Sequence, residues 1–222
     1  MGAFAVELIA QAGDLQVVCQ VRSEDDLEAS VLEAEAQVAL DLTRAGLGFE
    51  HGRRLLQAGL RIVIGTSGVD EGQTAELDRL ARKLQLGGCV IPNFSMGSWL
   101  QQKLAAEAAR VLRSVSIIEA HHPRKLDAPS GSAIQAAEVL AKALGVPTEE
   151  IPIQSLRIEG LHAEQRIYLG GPGEVLSLEH RVADRSAYGS GLLHSLRFAR
   201  DAQGVVRGLQ AVLAATDLHT AE

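Results

Sequence analysis

Short apolar runs alternate with amphipathic stretches through the first half of the chain. The apolar runs, rich in Val, Ile and Leu, predict buried strands at 15–21, 36–42, 60–66 and 87–93. Apolar positions at helical spacing predict helices at 3–12, 25–34, 46–58 and 71–86. Strands that alternate with helices in this way indicate βαβ units and a parallel sheet.

The loops that follow these strands are rich in Gly, Ser, Thr and Asn. They cover 21–25, 42–46, 65–69 and 92–97. Right-handed crossovers place the carboxyl ends of all parallel strands at one edge of the sheet, which is where such sheets bind ligands. The first half of the chain is therefore predicted to bind a ligand at this edge.

The second half has a different pattern. Helices are predicted at 98–113, 131–145 and 187–200, with a strand at 115–122. Three β-type runs follow the linker that contains Pro147, at 153–160, 164–171 and 174–182. The turn Gly170-Gly171-Pro172-Gly173 joins the last two runs, so this half is predicted to form an antiparallel or mixed sheet.

Composition and charge exclude several classes of protein. The chain has 21 Lys and Arg against 28 Asp and Glu, for a net charge of −7, which argues against a general nucleic-acid or membrane-surface binder. Cys19 and Cys89 lie in apolar runs without CxxC spacing, so buried thiols are expected and no metal site. No apolar run is long enough to span a bilayer and no secretory signal is visible, so the cytoplasm is the predicted compartment.

The densest group of polar side chains lies at 119–132, with the sequence EAHHPRKLDAPSGS. Two adjacent histidines, His121 and His122, precede Lys125 and gather proton carriers and a cation at the end of a strand. Ser130-Gly131-Ser132 opens a helix, and the free N–H groups of a helix N-terminus favour an anion. These residues predict a site for a small carboxylate; the alternative is a solvated loop with surface histidines.

This segment resembles the E-[LA]-HH-x-x-K-x-DAPSGTA signature of the 4-hydroxy-tetrahydrodipicolinate reductases. Other blocks resemble that family in the same order along the chain. They are DLTRA (41–45), GTSGV (65–69), IPNFSMG (91–97), SLRIEG (155–160) and GEVLSLEHRVADRSAYGSG (173–191). An ordered set of blocks that covers nearly the whole chain is far more specific than one short motif.

The resemblance implies a fold, a reaction and a set of site residues. The fold is a Rossmann-type parallel sheet followed by a mixed-sheet α+β domain that binds substrate and builds a homotetramer. The reaction is hydride transfer from NADPH or NADH to an unsaturated cyclic imine dicarboxylate in diaminopimelate and lysine biosynthesis. His121 is the implied general acid/base and Lys125 the implied proton donor. The residues implied to hold the substrate carboxylates are His122, Ser130, Gly131 and Ser132.

The implied cofactor residues come from three loops. They are Arg22 on the first loop, Gly65, Thr66 and Ser67 on the third, and Ile91, Pro92, Asn93 and Phe94 on the fourth. Arg22 aligns with a position where the family often carries an acidic residue that binds the adenosine ribose. A cation there favours the 2′-phosphate of NADPH; the alternative is a solvated surface arginine.

The sequence differs from the family pattern at its N-terminus. The family begins with a strand and a glycine-rich turn, G-x-x-G-[RK]-M-G, whereas this chain begins with Met1-Gly2-Ala3 at the end of that motif. One explanation is a misplaced start of a longer natural protein. The other is a short homologue that has lost normal dinucleotide binding and acts as a non-catalytic, dicarboxylate-binding or oligomeric regulatory protein.

The predicted domains are a truncated dinucleotide-binding domain, 1–94 with 197–222, and a substrate and oligomerisation domain, 95–196. The expected partners are the small dicarboxylate substrate and other copies of the chain, with neither nucleic acid nor membrane.

Overall fold

A computed structural model describes residues 1–215 of the chain. Its helices, in chain order, are α1 (Gly2–Ala10), α2 (Leu27–Glu33), α3 (Gly48–Gln57), α4 (Glu71–Lys83), α5 (Met96–Ala109), α6 (Gly131–Leu144), α7 (Gly189–Asp201) and α8 (Leu209–Ala215). Its strands are β1 (Val38–Asp41), β2 (Arg61–Ile64), β3 (Gly87–Val90), β4 (Ser114–His121), β5 (Ile153–Arg157), β6 (Ala163–Gly171), β7 (Glu174–Val182) and β8 (Gly204–Arg207). The elements form two compact units, one of Met1–Phe94 with the chain from Tyr188 onward, the other of Ser95–Ala187.

The first unit is built on a parallel sheet in the order β1-β2-β3-β8. The central strands β2 and β3 are almost completely buried because helices cover both faces of the sheet. Leu56, Ile62 and Leu77 pack in one core cluster, whereas Val63 and Leu192 pack in another. The predicted Rossmann-type parallel sheet is confirmed.

The predicted buried strand at 15–21 is wrong. This segment is not assigned to a strand, and half-buried residues alternate with exposed ones, among them Val18 at 51% exposure. Apolar residues alone do not make a strand, because the backbone N–H and C=O groups must also pair with a neighbour. Cys19 in this segment is only partly buried, whereas Cys89 is buried as predicted. Burial raises the pKa of the Cys89 thiol to about 12, so this side chain is inert.

The predicted domain boundary at 196/197 falls inside helix α7. Leu192, Leu196 and Ala199 of this helix all belong to the core of the first unit, together with Ile91. Because the buried face of α7 packs against a single core, the whole helix belongs to the first unit, which therefore includes the chain from Tyr188. The last seven residues of the predicted first domain, 216–222, lie outside the described residues.

Sequence analysis also missed β8 and α8. Strand β8 has only four residues and adds to the sheet beside β3, with Gly87 opposite Gly204. Its backbone is bounded by Gly204 and Gly208, both with positive φ. A short strand between two glycines carries little local signal, and its place in the sheet depends on distant pairing.

The second unit is a mixed sheet in the order β5-β4-β6-β7. Strands β4 and β5 are parallel, whereas β4, β6 and β7 pair antiparallel. Helices α5 and α6 supply small residues such as Ala105 and Ala137, which pack in one cluster with Ile117 and Ile167 of the sheet. The predicted mixed-sheet domain is confirmed. Within residues 1–215, no helix has both the length and the apolar character needed to cross a bilayer.

Gly191 sets the approach of α7 to the end of the Ile91–Phe94 segment. A Cβ atom at position 191 would lie 2.0 Å from the carbonyl oxygen of Phe94, which is backbone and has no free rotation. We predict that Gly191→Ala lowers the free energy of unfolding by about 1–3 kcal/mol, because the helix must move away from this segment.

The measurement is thermal or urea unfolding followed by circular dichroism. Ser190→Ala is the matched control, because Ser190 is an exposed position of the same helix. Equal stability of the two variants would contradict the prediction.

Candidate active site

The end of strand β4 places two titratable side chains on the same face. Side chains alternate along a strand, so Glu119 and His121 point the same way. The parallel register with β5 sets Glu119 opposite Ser155 and His121 opposite Arg157. The side chain of Glu119 is completely buried and that of His121 is 12% exposed. A strand end thus brings a carboxylate, an imidazole and a guanidinium together.

His121 is hydrogen-bonded to Glu119. Its Nδ1 lies 2.5 Å from the Glu119 Oε2 atom, and an ionised carboxylate can only accept, so Nδ1 carries the proton. Burial lowers the pKa of His121, and the cations Lys125 and Arg157 act in the same direction, while Glu119 opposes them. A neutral imidazole with a bound Nδ1–H keeps its Nε2 atom available to exchange a proton near neutral pH.

Glu119 is held as a buried carboxylate. Burial by itself would raise its pKa, but side-chain hydrogen bonds from Ser155, His121 and Arg157 outweigh it and place the pKa of Glu119 below its ordinary value. Both terminal nitrogens of Arg157 lie 3.1 Å from its Oε1 atom. The backbone N–H of Ser130 donates to the same oxygen over 3.3 Å. A buried charge with this many donors is satisfied despite its lack of water.

Lys125 lies in the loop that follows β4. Its Nζ atom is 2.8 and 2.9 Å from the two carboxylate oxygens of Asp127. This hydrogen bond lowers the pKa of Asp127. The loop is tied to the sheet by Arg157, which donates to the carbonyl oxygens of Lys125, over 3.2 Å, and Asp127, over 2.6 Å. Lys125 is therefore held in the neighbourhood of His121, close enough to affect its pKa.

Ser130 caps helix α6. Its Oγ atom accepts a hydrogen bond from the backbone N–H of Ala133 and lies 3.2 Å from the Oγ of Ser132. Ser130 itself is buried at 1% exposure, whereas Gly131 is exposed and has open space where a side chain would lie. The first turn of the helix is thus accessible through Gly131 and Ser132, and its amides suit an anion.

His122 lies at the edge of the same loop. Its Nδ1 atom is buried without a hydrogen-bond partner, and its ring centroid is 6.2 Å from that of His162. A buried polar atom without a partner is costly unless a ligand or water satisfies it. His162 was not among the predicted site residues, since nothing adjacent to it in the sequence indicates a site.

In the first unit, the predicted cofactor residues lie at the carboxyl ends of β2 and β3. Gly65 follows β2, and a Cβ atom there would lie 2.6 Å from the ring of Phe94 and from Leu42. The backbone N–H of Gly46 donates to the carbonyl oxygen of Ser67 over 3.2 Å. Ile91 and Phe94 are buried, whereas Pro92 and Asn93 are partly exposed. The structure thus brings the Gly65–Ser67 loop and Phe94 together at one edge.

The chemistry of this edge fits a dinucleotide. The Thr66 hydroxyl is buried without a hydrogen-bond partner and faces Gly48 at the start of α3. Leu42 and Phe94 occupy the space beside Gly65, whereas Ser67 and Gly68 are exposed, and the φ of +95° at Gly68 is one that glycine adopts without strain. Helix α1 begins at Gly2, and its N-cap residue Met1 makes no side-chain hydrogen bond to the first turn.

Arg22 lies in an exposed turn before α2. Its backbone N–H donates to the carboxylate of Asp25 over 2.7 Å. Within residues 1–215, no hydrogen bond joins Arg22 to the Gly65–Ser67 loop. The structure therefore does not connect Arg22 to the other predicted cofactor residues.

Sequence analysis missed a second buried carboxylate with an imidazole. Asp41 ends β1, and its Oδ1 accepts from the backbone N–H of Thr43 over 2.8 Å and from its hydroxyl over 2.6 Å. His51 of α3 places its Nδ1 atom 2.9 Å from Asp41 Oδ2. The DLT sequence was recognised, but the histidine lies ten residues further on and is brought back by α3. This pair fixes the loop after β1.

Within the part of the chain that the structure describes, no three His, Cys, Asp or Glu side chains are grouped so that they could hold a metal ion.

Comparison with known proteins gives one family for both units. The family model described as "Dihydrodipicolinate reductase, N-terminus" matches residues 1–94. The family model described as "Dihydrodipicolinate reductase, C-terminus" matches residues 97–213. The 4-hydroxy-tetrahydrodipicolinate reductase of Legionella pneumophila (strain Lens) is 37% identical over 230 residues, which cover 96% of this chain and 95% of the relative.

Two further proteins agree with this match. The 4-hydroxy-tetrahydrodipicolinate reductase of Coxiella burnetii (strain Dugway 5J108-111) is 35% identical over 226 residues, with 96% of this chain and 95% of the relative covered. A solved structure, the dipicolinate-bound dihydrodipicolinate reductase from Paenisporosarcina sp. TG-14, superposes with a TM-score of 0.80 at 32% identity, covering 96% of this chain and 95% of that one.

Replacement of Ser130 tests the cap of the helix at the site. We predict that Ser130→Ala lowers the free energy of unfolding by about 1 kcal/mol, because the N–H of Ala133 loses its acceptor. Trp99, the single tryptophan of the chain, lies in α5 of the same unit, so its fluorescence during urea unfolding measures the change. Ser177→Ala, at an exposed position of β7, is the control, and an equal effect of both substitutions would contradict the capping role.

Proposed function

Because the chain belongs to the dihydrodipicolinate reductase family, we propose that it reduces the cyclic imine dicarboxylate derived from 4-hydroxy-tetrahydrodipicolinate to tetrahydrodipicolinate, a step of diaminopimelate and lysine biosynthesis. The chain is an oxidoreductase that uses a nicotinamide dinucleotide. The observation that carries the proposal is the buried Glu119–His121 pair with Lys125 beside it, because these side chains form the signature segment of the family.

The dinucleotide, when bound, supplies the hydride of the reduction. We assign its binding to the edge of the parallel sheet, where the proposed residues are Gly65, Thr66, Ser67, Ile91, Pro92, Asn93 and Phe94. The exposed Ser67 and Gly68 support this assignment, since a ligand can approach the backbone of the loop there.

The proton that completes the reduction comes from the end of β4. His121 is the proposed general acid/base, and it takes up and releases a proton at Nε2, because Nδ1 is engaged with Glu119. Lys125 is the proposed proton donor, and its ammonium group also offsets negative charge on the substrate. Asp127 holds the ammonium group of Lys125 in the loop.

The substrate carries two carboxylates, and the start of α6 is suited to hold one. The proposed substrate residues are His122, Ser130, Gly131 and Ser132. The accessible first turn at Gly131 and Ser132 offers N–H groups and the positive end of the helix dipole. Ser130 contributes mainly by capping this turn, since its own hydroxyl is buried. The unpartnered Nδ1 of His122 supplies a further hydrogen-bonding atom.

The alternative was a non-catalytic homologue that has lost normal dinucleotide binding. The comparisons favour the reductase, because relatives named for this activity align with 96% of the chain and both family models match. The preference for NADPH over NADH, the homotetramer and the cytoplasmic location remain predictions.

The proton carriers are tested by replacing them one at a time. We predict that His121→Gln and Lys125→Ala each lower kcat by about 100- to 10,000-fold, the range typical for loss of a general acid or base. Reduction is followed by the loss of dinucleotide absorbance.

Arg124→Ala is the matched control, because Arg124 is an exposed cation next to Lys125 in the same loop. Rates in both His121→Gln and Lys125→Ala equal to those of Arg124→Ala would show that the wrong residues were assigned.

Arg22 is the residue proposed to favour NADPH. We predict that NADPH binds more tightly than NADH and that Arg22→Ala reduces this ratio about fivefold, the value of one exposed ion pair with the 2′-phosphate. Fluorescence titration with each dinucleotide measures both affinities. Arg53→Ala, at a partly exposed arginine of the first unit, is the control. Equal affinities for the two dinucleotides in the unsubstituted protein would eliminate the role of Arg22.

A further inference from the structure

The guanidinium group of Arg157 donates hydrogen bonds on two sides. On one side, Nη1 and Nη2 donate to Glu119, the carboxylate that holds His121. On the other side, Nε donates to the carbonyl oxygen of Lys125 and Nη2 to that of Asp127. Nη1 also donates to the carbonyl oxygen of Leu156 over 2.6 Å. These contacts employ all three nitrogens of a planar group with fixed donor directions.

We propose that Arg157 is a positioning residue that couples the two proton carriers of the reductase, orienting His121 through Glu119 and Lys125 through the backbone of its loop. The proposal rests on the proposed function for its kinetic meaning. Two parts of the proposal do not depend on that function: which nitrogen of His121 carries the proton, and where the loop that contains Lys125 is held.

The first half of the coupling is electrostatic. Glu119 is completely buried, and Arg157 is the cation that faces it directly, with a side chain only 21% exposed. The charged groups that act on His121 are Glu119 on its own strand, Arg157 on β5, and Lys125 and Asp127 on the loop. Loss of the guanidinium would leave Glu119 with Ser155, His121 and the Ser130 N–H as donors but without the cation that contacts it over 3.1 Å. Because burial disfavours the charged form, we expect the pKa of Glu119 to rise in that case and its protonated form to be favoured.

A protonated Glu119 would reverse the hydrogen bond to His121. The carboxyl O–H then donates to Nδ1, and the imidazole proton moves to Nε2, the atom assigned to the reaction. The presence of Arg157 therefore keeps Nε2 free of a proton in the neutral imidazole. This consequence differs from that of an arginine that merely stabilises the fold, because a stabilising role leaves the tautomer unchanged.

The second half of the coupling is geometric. The loop carbonyls of Lys125 and Asp127 both accept from Arg157, so the loop cannot shift without losing charge-assisted hydrogen bonds. A lysine at position 157 would keep the positive charge but not the fork of donors. Arg157→Lys therefore separates the electrostatic half from the geometric half.

The decisive measurement is ¹⁵N NMR of the imidazole nitrogens in the complete protein, with the His121 signals assigned by their loss in His121→Gln. We expect the Nδ1–H tautomer in the unsubstituted protein and in Arg157→Lys, and predominantly the Nε2–H tautomer in Arg157→Met. This readout needs no turnover, so it stands even if the proposed reductase activity is absent. An unchanged tautomer in Arg157→Met overturns the proposal.

Kinetics provide the second measurement. Arg157→Met is expected to lower kcat tenfold or more with the KM for the dinucleotide changed less than twofold, and Arg157→Lys to lower kcat by a smaller factor. Arg113→Met is the matched control, because Arg113 donates to the carbonyl oxygen of Leu144 in the same unit but lies at the opposite end of β4 from His121. A kcat in Arg157→Met equal to that in Arg113→Met overturns the coupling even if the tautomer changes.

A variant that removes both charges guards against misfolding. Arg157→Met leaves the buried Glu119 without its cation, which can prevent folding, whereas replacement of both members of a buried ion pair is better tolerated. The double variant Glu119→Gln/Arg157→Met is expected to show the Trp99 fluorescence of the unsubstituted protein and a kcat at least tenfold lower. An unsubstituted kcat in this folded double variant overturns the proposal.

Discussion

The burial of one carboxylate, Glu119, dictates the arrangement of the second unit around it. An ion removed from water costs several kcal/mol unless it is paired and hydrogen-bonded. Here the donors come from four places: His121 on the same strand, Arg157 on β5, Ser155 beside it, and the backbone N–H at the start of α6. The elements that satisfy the charge are the elements that carry the proposed chemistry. Stability and function therefore depend on the same contacts.

In the first unit, the packing of the elements depends on close approach to the backbone at glycine positions more than on a buried charge. Gly65 permits contact with Phe94, and Gly191 permits α7 to approach the carbonyl of Phe94. Asp41 and His51 then fix the loop that follows β1. Small residues and a buried carboxylate together define the edge at which we propose that the dinucleotide binds, as expected for parallel sheets of this kind.

The sequence pattern predicted structure best where the residues that form an element or motif are close together in the chain. The apolar runs of β2 and β3, and the helical spacing of α3, α4 and α6, predicted these elements with small errors at their ends. The signature around His121 and Lys125 indicated the family, and the family models and relatives confirmed it. The run at 15–21 was misleading, because its composition is that of a strand while its backbone has no strand assignment.

The amino-acid sequence by itself predicted most of the elements in their order, the two sheet types and the family, and it indicated His121 and Lys125 as candidate proton carriers, because apolar periodicity and a contiguous motif are properties of neighbouring residues. Tertiary structure decided what distant residues do. Arg157 lies 38 residues from Glu119 and reaches it only because β5 pairs with β4 in one register. The same holds for helix α7, whose place in the first unit depends on the core it packs against. A shift of one residue in the β4–β5 register would turn the guanidinium to the other face and leave a buried charge unpaired.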